Sequence, residues 1–199
     1  MKKSLSLIIA ILFFMVGVGW CETAEEWFKK GNTALDVKNY DEAISMYKKA
    51  IVINPDFAEA HYNLGWIYVE KGMLDEAISE YKKTITINPD LANAHFNLGR
   101  IYEKKERLDE AISEYKKAIA INPNYADAHF NLGFAYGVKG ILSISADHLY
   151  KAGIQYLKQG DRDSALKTYE VLKKTNSKEL EQALYEKLYP ELKEKKLKE

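Results

Sequence analysis

A fixed internal period constrains this chain more than any other feature. Asn-Pro pairs recur at one constant interval, at Asn54-Pro55, Asn88-Pro89 and Asn122-Pro123. With the same period, an Ala-x-Ala-His-aromatic-Asn-Leu-Gly motif begins at Ala58, Ala92 and Ala126. Periods of about 20 to 50 residues are typical of arrays in which each unit buries its apolar face against its neighbours. The chain is therefore predicted to form a linear array of stacked units.

Each unit contains two helical patterns. In one unit, apolar residues recur three and four residues apart from Leu64 to Tyr68, and again from Ala77 to Ile85, which marks one face of each of two helices. Asp75 is predicted to be the N-cap of the second helix. Lys71-Gly72 separates the two helices, and Asn88-Pro89 ends the second because proline cannot continue a helix. The unit is predicted to be a helical hairpin.

Glycine recurs inside the first helix of each of the first four units, at Gly31, Gly65, Gly99 and Gly133. A glycine costs about 1 kcal/mol in a helix relative to alanine, so its recurrence requires a compensating reason. Close approach of the two helices of a hairpin supplies one. We expect Gly65 to face Ala77, with the rings of Tyr68 and Tyr81 around them.

These positions together resemble a known repeat. The first unit carries the same pattern at Trp27, Gly31, Ala43, Tyr47, Ala50 and Pro55. The constant period, with Leu-Gly, Tyr, Ala, aromatic, Ala and Pro at fixed places, resembles the tetratricopeptide repeat. The resemblance implies an all-α fold, namely a right-handed superhelical solenoid of helix-turn-helix hairpins that is closed by a C-terminal capping helix.

The units can be bounded from the pattern. We assign residues 24–57, 58–91 and 92–125 to three full repeats, 126–145 to a partial fourth, 146–179 to a fifth, and 180–199 to a capping helix with a charged tail. The fourth unit is irregular, because Ser143-Ile-Ser-Ala146 replaces its Asp-Glu-Ala motif. Two arrangements are compatible with this. Either the array skips one helix, or the stretch from Leu142 to Lys158 packs against both of its neighbours.

The segment 1–21 is predicted to be an export signal. Two lysines precede an apolar run from Leu5 to Val18, which is short for a membrane span of about 20 residues. Cleavage after Cys21 is favoured over retention as a membrane anchor and over lipidation of Cys21, because Trp20 lies where a lipoprotein signal needs a small residue. The protein is thus expected to be exported, periplasmic or secreted, with membrane anchoring as the alternative.

The resemblance also implies a binding surface. In this family the concave side of the first helices binds a protein or peptide. The corresponding residues are Phe28, Asn32, Tyr62, Trp66, Phe96, Arg100, Phe130 and Phe134. Exposed aromatic rings are typical of recognition surfaces. The alternative is that individual rings pack between neighbouring first helices.

Asparagine recurs at Asn63, Asn97 and Asn131. In similar repeat domains an asparagine ladder holds the backbone of an extended peptide, since an amide offers both a donor and an acceptor. The alternative is a surface amide without a ligand. A carboxylate clamp for chaperone tails is not expected, because Lys and Arg are absent from the groove positions at 62, 96 and 97.

Other classes of function lack support. A shared metal site at His61, His95 and His129 is excluded, because equivalent residues on stacked helices lie about 8–10 Å apart. Each histidine is instead expected to fill the slot of Trp27. The sequence contains no phosphate loop or nucleophile elbow, so neither an enzyme nor a cofactor is expected. With 29 basic and 29 acidic residues, nucleic acid is not expected as a partner. A protein-binding module and a structural or oligomerising subunit remain.

Overall fold

The computed structural model describes residues 22–190. Its regular structure consists of ten α-helices and one short 3-10 helix, and residues 22–190 contain no β-strand. The helices are α1 (Ala24–Asp36), α2 (Tyr40–Ile53), α3 (Ala58–Glu70), α4 (Leu74–Ile87), α5 (Ala92–Lys104), α6 (Leu108–Ile121), α7 (Ala126–Val138), α8 (Leu142–Lys158), α9 (Arg162–Leu172) and α10 (Lys178–Leu188); the 3-10 helix is Lys173–Thr175. These residues form two compact units, 22–63 and 64–190.

In the first unit, α1 and α2 form a hairpin. Helix α1 begins with a capping box, in which the Thr23 hydroxyl accepts from the Glu26 N–H and the Glu26 carboxylate accepts from the Thr23 N–H. The two helices pack together, and Ala34 of α1 and Ala43 and Ala50 of α2 are all buried. Small residues at these places let the two helices approach closely.

A tyrosine ring lies on the helical glycine of each of the first three repeats. A Cβ atom added to Gly31 would lie 2.5 Å from the Tyr47 ring, and one added to Gly99 would lie 2.6 Å from the Tyr115 ring. In the second unit, a Cβ on Gly65 would meet the Tyr81 ring at 3.1 Å. The expected packing of the Tyr81 ring around Gly65 is therefore confirmed, and this ring is the nearest neighbour of the glycine.

The turn between α3 and α4 also corrects a predicted boundary. Helix α4 begins at Leu74, and its N-cap is Met73 rather than Asp75. Gly72 has a φ of +73°, a left-handed conformation that glycine adopts without strain. Because of this conformation, the N-cap lies two residues before the predicted position. Asp75 instead lies in the first turn, where its carboxylate accepts from Lys105 Nζ at 2.8 Å.

Helix α8 connects the regular hairpins to the C-terminal helices. It has 17 residues and packs against both α7 and α9, which is the second of the two arrangements considered for the irregular unit. Helix α10 then covers α8 and α9. Its Leu184 and Leu188 are fully buried. Leu184 packs directly on Gly153 of α8, where an added Cβ would lie only 2.6 Å from the leucine side chain.

Two predictions from the sequence lie outside the described residues. The export signal, with its alternatives at Cys21, falls in residues 1–21, and the charged tail falls in residues 191–199. Among residues 22–190, no helix has both the length and the apolar character that a bilayer crossing requires.

The contact between glycine and tyrosine yields a stability prediction. Glycine to alanine in a helix is usually stabilising by about 1 kcal/mol. We expect Gly99→Ala to destabilise the protein by about 1–3 kcal/mol instead, because the buried Tyr115 ring cannot move away. Urea unfolding followed by circular dichroism measures the difference.

Gly137→Ala is the matched control on α7, because its added Cβ would meet only the Ser145 hydroxyl at 3.2 Å and the Ser145 Cβ at 4.0 Å. This variant should be neutral or more stable. Equal effects of the two substitutions would show that the ring contact does not constrain the hairpin.

Candidate binding surface

A cavity of about 530 Å³ lies in the second unit. Four of the residues predicted to bind a ligand line it, namely Trp66, Asn97, Arg100 and Asn131. Its walls also include Val69, Glu70, Leu74, Tyr81, Ile101, Glu103 and Lys104. The cavity thus brings together residues from α3, α5 and α7, the first helices of three successive repeats.

Helical periodicity explains why these side chains meet. Asn97, Arg100 and Lys104 are three and four residues apart, so they lie along one face of α5. Trp66 and Glu70 are related in the same way on α3. Leu98 and Ile101 of the same helix are buried, and Ile101 forms part of the cavity wall.

Two cations of this surface lack acidic partners. Among residues 22–190, neither Arg100 nor Lys104 forms an ion pair, and both side chains are exposed. The Arg100 guanidinium lies 5.8 Å from the centre of the Phe96 ring. Glu103 is engaged differently, since its carboxylate accepts from the Tyr115 hydroxyl at 2.6 Å. Burial, with this hydrogen bond as the next cause, raises the pKa of Tyr115.

The predicted aromatic residues differ in exposure. Phe96 is only 8% exposed and packs between Tyr115 and Tyr125, so the expectation of a displayed ring is wrong at this position. Phe130 is partly buried against the core that α7, α8, α9 and α10 form together. In contrast, Phe134 is 44% exposed and Trp66 is 37% exposed. These two rings remain candidates for contact with a ligand.

In the first unit, the predicted residues join one network. Phe28 packs on Tyr47 and on Phe57, with ring centres 5.5 and 4.8 Å apart. The Tyr47 hydroxyl donates to Asn32 at 2.7 Å, and the Asn63 amide donates to both groups at 3.2 Å. Tyr62, on the same helix as Asn63, is partly buried and has a partner of its own.

All three ladder asparagines make the same contact. Their amide nitrogens donate to a tyrosine hydroxyl 16 residues earlier, from Asn63 to Tyr47, from Asn97 to Tyr81 and from Asn131 to Tyr115, at 3.2–3.4 Å. The amides therefore have a structural partner that the repeat pattern did not reveal. Their role in holding a peptide backbone stays a prediction.

Comparison with known proteins identifies the fold. A family model described as TPR repeat matches residues 31–72, 65–106 and 99–140, and a tetratricopeptide-repeat model matches residues 149–178. The chain belongs to the tetratricopeptide-repeat family. The predicted all-α solenoid class is thereby confirmed.

Solved structures with tetratricopeptide repeats are similar along most of the chain. A crystal structure of MamA is 27% identical, with a TM-score of 0.63, and the match covers 79% of this chain and 93% of that one. YrrB, whose structure is described as a TPR protein with an unusual peptide-binding site, is 23% identical with a TM-score of 0.60, covering 87% and 97%. No curated protein sequence matches this chain.

Two residues of this tetratricopeptide-repeat surface were missed by sequence reasoning. Lys104 and Glu70 occupy equivalent positions, one helical turn beyond Arg100 and Trp66. Helical periodicity could have predicted both residues, because a side chain four residues farther along the same helix lies on the same face. Val138 occupies the third equivalent position on α7 and is 58% exposed.

The repeated histidines fill the core of the tetratricopeptide hairpins, as expected. His61, His95 and His129 are each 4–5% exposed, and each ring approaches a proline carbonyl six residues earlier. Within the described residues, no group of three His, Cys, Asp or Glu side chains could hold a metal. The second ring nitrogen of His95 contacts Glu114 at 2.6 Å.

His129 has a different partner. Its Nδ1 lies 2.9 Å from Nδ1 of His148, which occupies the position of Glu114. Since the Pro123 carbonyl can only accept, Nε2 of His129 carries a proton and its Nδ1 accepts from His148 in the neutral pair. Two charged rings would place two N–H groups against each other. Burial lowers the pKa of both rings, that of His148 to about 4, with the electrostatic effect of His129 as the next cause for His148.

This pair predicts a pH-dependent stability. The unfolded chain binds protons more readily than the folded chain, so the stabilisation present above about pH 6.5 is lost as the pH falls towards 4. His148→Glu would recreate the pairing of His95 with Glu114. Between pH 7 and pH 4.5, we expect the free energy of unfolding to fall by about 2 kcal/mol more in the original protein than in this variant. Urea unfolding at both pH values measures this, and identical pH slopes would contradict it.

Proposed function

We propose that this protein is a non-enzymatic adaptor that binds an extended segment of another protein along the first-helix surface of its second unit. The observation that carries the proposal is the cavity lined by Trp66, Asn97, Arg100 and Asn131. A volume of about 530 Å³ falls in the range of ligand pockets, about 300–1,000 Å³. The protein-interaction role common to tetratricopeptide repeats supports the same conclusion.

The chemistry of the cavity suits a peptide. Trp66 offers apolar surface, while the amides of Asn97 and Asn131 offer polar groups suited to a peptide backbone. The peptide-binding site named for YrrB is a precedent for such a ligand in this fold. The residues of the cavity present no nucleophile paired with a base, so the surface supports binding and not catalysis.

We place the adaptor in the cell envelope, where it would assist the assembly of larger machinery. The apolar run within residues 1–21 supports export, with the alternative that this segment is retained and holds the protein at the membrane. Because its partner is a protein segment, the adaptor needs no cofactor and no nucleic acid.

A second candidate is a structural subunit that assembles through another surface. Ile141, Leu142 and Ile144, in and after the turn between α7 and α8, are each about 40% exposed. Exposed apolar residues that cluster in this way are typical of association surfaces. This candidate predicts association of the protein with itself or with a membrane partner that does not depend on the cavity.

Site-specific photo-cross-linking in the native cell envelope separates the two candidates. A photoreactive phenylalanine analogue at Trp66 or at Arg100 should capture a partner protein, because both positions line the cavity. The same analogue at Lys82, an exposed position on α4, is the matched control and should capture none.

Substituting Asn97→Ala beside the cross-linker should reduce capture at Arg100 several-fold. Capture from Lys82 alone, or capture that Asn97→Ala leaves unchanged, would contradict the proposal and favour the second candidate.

A further inference from the structure

The repeats differ at the two surface positions beside the cavity. Their core positions are nearly the same, whereas one position carries Trp66, Arg100 and Phe134 and the next carries Glu70, Lys104 and Val138. Helix α3 thus presents an aromatic ring and an acid, α5 presents two cations, and α7 presents two apolar side chains. Because the scaffold is common to all three helices, these differences are where ligand selectivity resides.

The charged members of this surface are available to a ligand. Arg100 and Lys104 form no ion pair with residues 22–190, and Glu70, which is also exposed, forms none either. Charged groups that converge on one cavity favour a partner of opposite charge, which also suppresses wrong partners. A carboxylate that meets Arg100 gains charge-assisted hydrogen bonds of the stronger kind.

The two apolar side chains of this surface, Phe134 and Val138, are exposed and lie on the same face of α7 as Asn131. Asn131 lines the cavity, and Phe134 and Val138 follow it by three and seven residues on α7. They are 44% and 58% exposed, whereas the equivalent residues on α5 are charged. The cavity wall therefore continues along α7 as an apolar surface.

The spacing of the helices fixes the spacing of ligand side chains. Packed helices lie about 8–10 Å apart, and an extended chain advances about 3.3 Å per residue. A segment that crosses α3, α5 and α7 in turn thus meets a new helix about every three residues.

We infer that the ligand is an extended segment that carries a basic, an acidic and a large apolar side chain at steps of about three residues. The basic side chain contacts Trp66 and Glu70, and the acidic one contacts Arg100 and Lys104. The apolar side chain contacts Phe134 and Val138. This inference rests on the proposed function and adds the chemistry of the partner. A cation between Glu70 and the Trp66 ring gains both an ion pair and a cation–π contact. The order of charges, and not the net charge, is what the surface distinguishes.

Two synthetic peptides of identical composition test the order. The first carries Lys, Glu and Leu at three-residue steps in a Ser/Thr background, and the second exchanges the Lys and Glu. Fluorescence anisotropy with the full-length protein in mild detergent should show at least tenfold tighter binding of the first peptide. The triple variant Glu70→Lys, Arg100→Glu, Lys104→Glu should prefer the second peptide.

The apolar step has its own control. Replacing Leu by Ser in the first peptide should weaken binding to the original protein about tenfold. It should have little effect on the variant Phe134→Ser, Val138→Ser. All substituted side chains are exposed, and unchanged circular dichroism melting curves would show that the variants fold.

The outcomes separate this inference from the proposed function. Equal affinity for the two peptides would overturn the inference. If neither peptide binds, the inference also fails, and panning a random peptide library on the same protein then tests the proposed function. Library ligands that Asn97→Ala weakens would uphold binding at the cavity with different chemistry, and a library without ligands would overturn both.

Discussion

A tyrosine ring lying on a helical glycine is the contact on which the first three repeats depend. Each ring fills the space that a Cβ would occupy, as the contacts of Gly31 with Tyr47 and of Gly99 with Tyr115 show. The ring body is buried, whereas the hydroxyl reaches the asparagine of the following repeat. The same side chain therefore sets the helix spacing and supports a surface amide. Leu149 replaces the tyrosine in the fourth repeat, so no hydroxyl is available there.

The sequence was sufficient to predict features that local periodicity determines. The helices, their pairing and the buried histidines follow from a pattern that recurs at a constant interval along the chain. The start of α4 did not follow, because the left-handed conformation of Gly72 decides it and not the capping preference of Asp75. A capping preference is a property of a single residue, whereas the place where a helix begins depends on the backbone conformation of the whole turn before it.

The candidate surface was predicted less completely, because exposure depends on neighbours from other repeats. Phe96 is covered by Tyr125, which belongs to the loop before the next repeat. Conversely, Trp66 and Phe134 remain exposed at positions equivalent to Arg100. The pairing of His129 with His148 depends on a single change from the glutamate of the preceding repeat, and the repeat pattern concealed it.

Helix α8 belongs to two hairpins, and this limits where repeats can be duplicated within the gene. Helices α7 and α9 both pack against this 17-residue helix, so it closes one hairpin and opens the next. An in-frame duplication of one whole repeat before Ala126 adds a hairpin that its neighbours can cover. A duplication that separates α8 from α9 leaves an apolar face exposed to water. The array can therefore be extended by unequal recombination on its N-terminal side, while its C-terminal end is fixed.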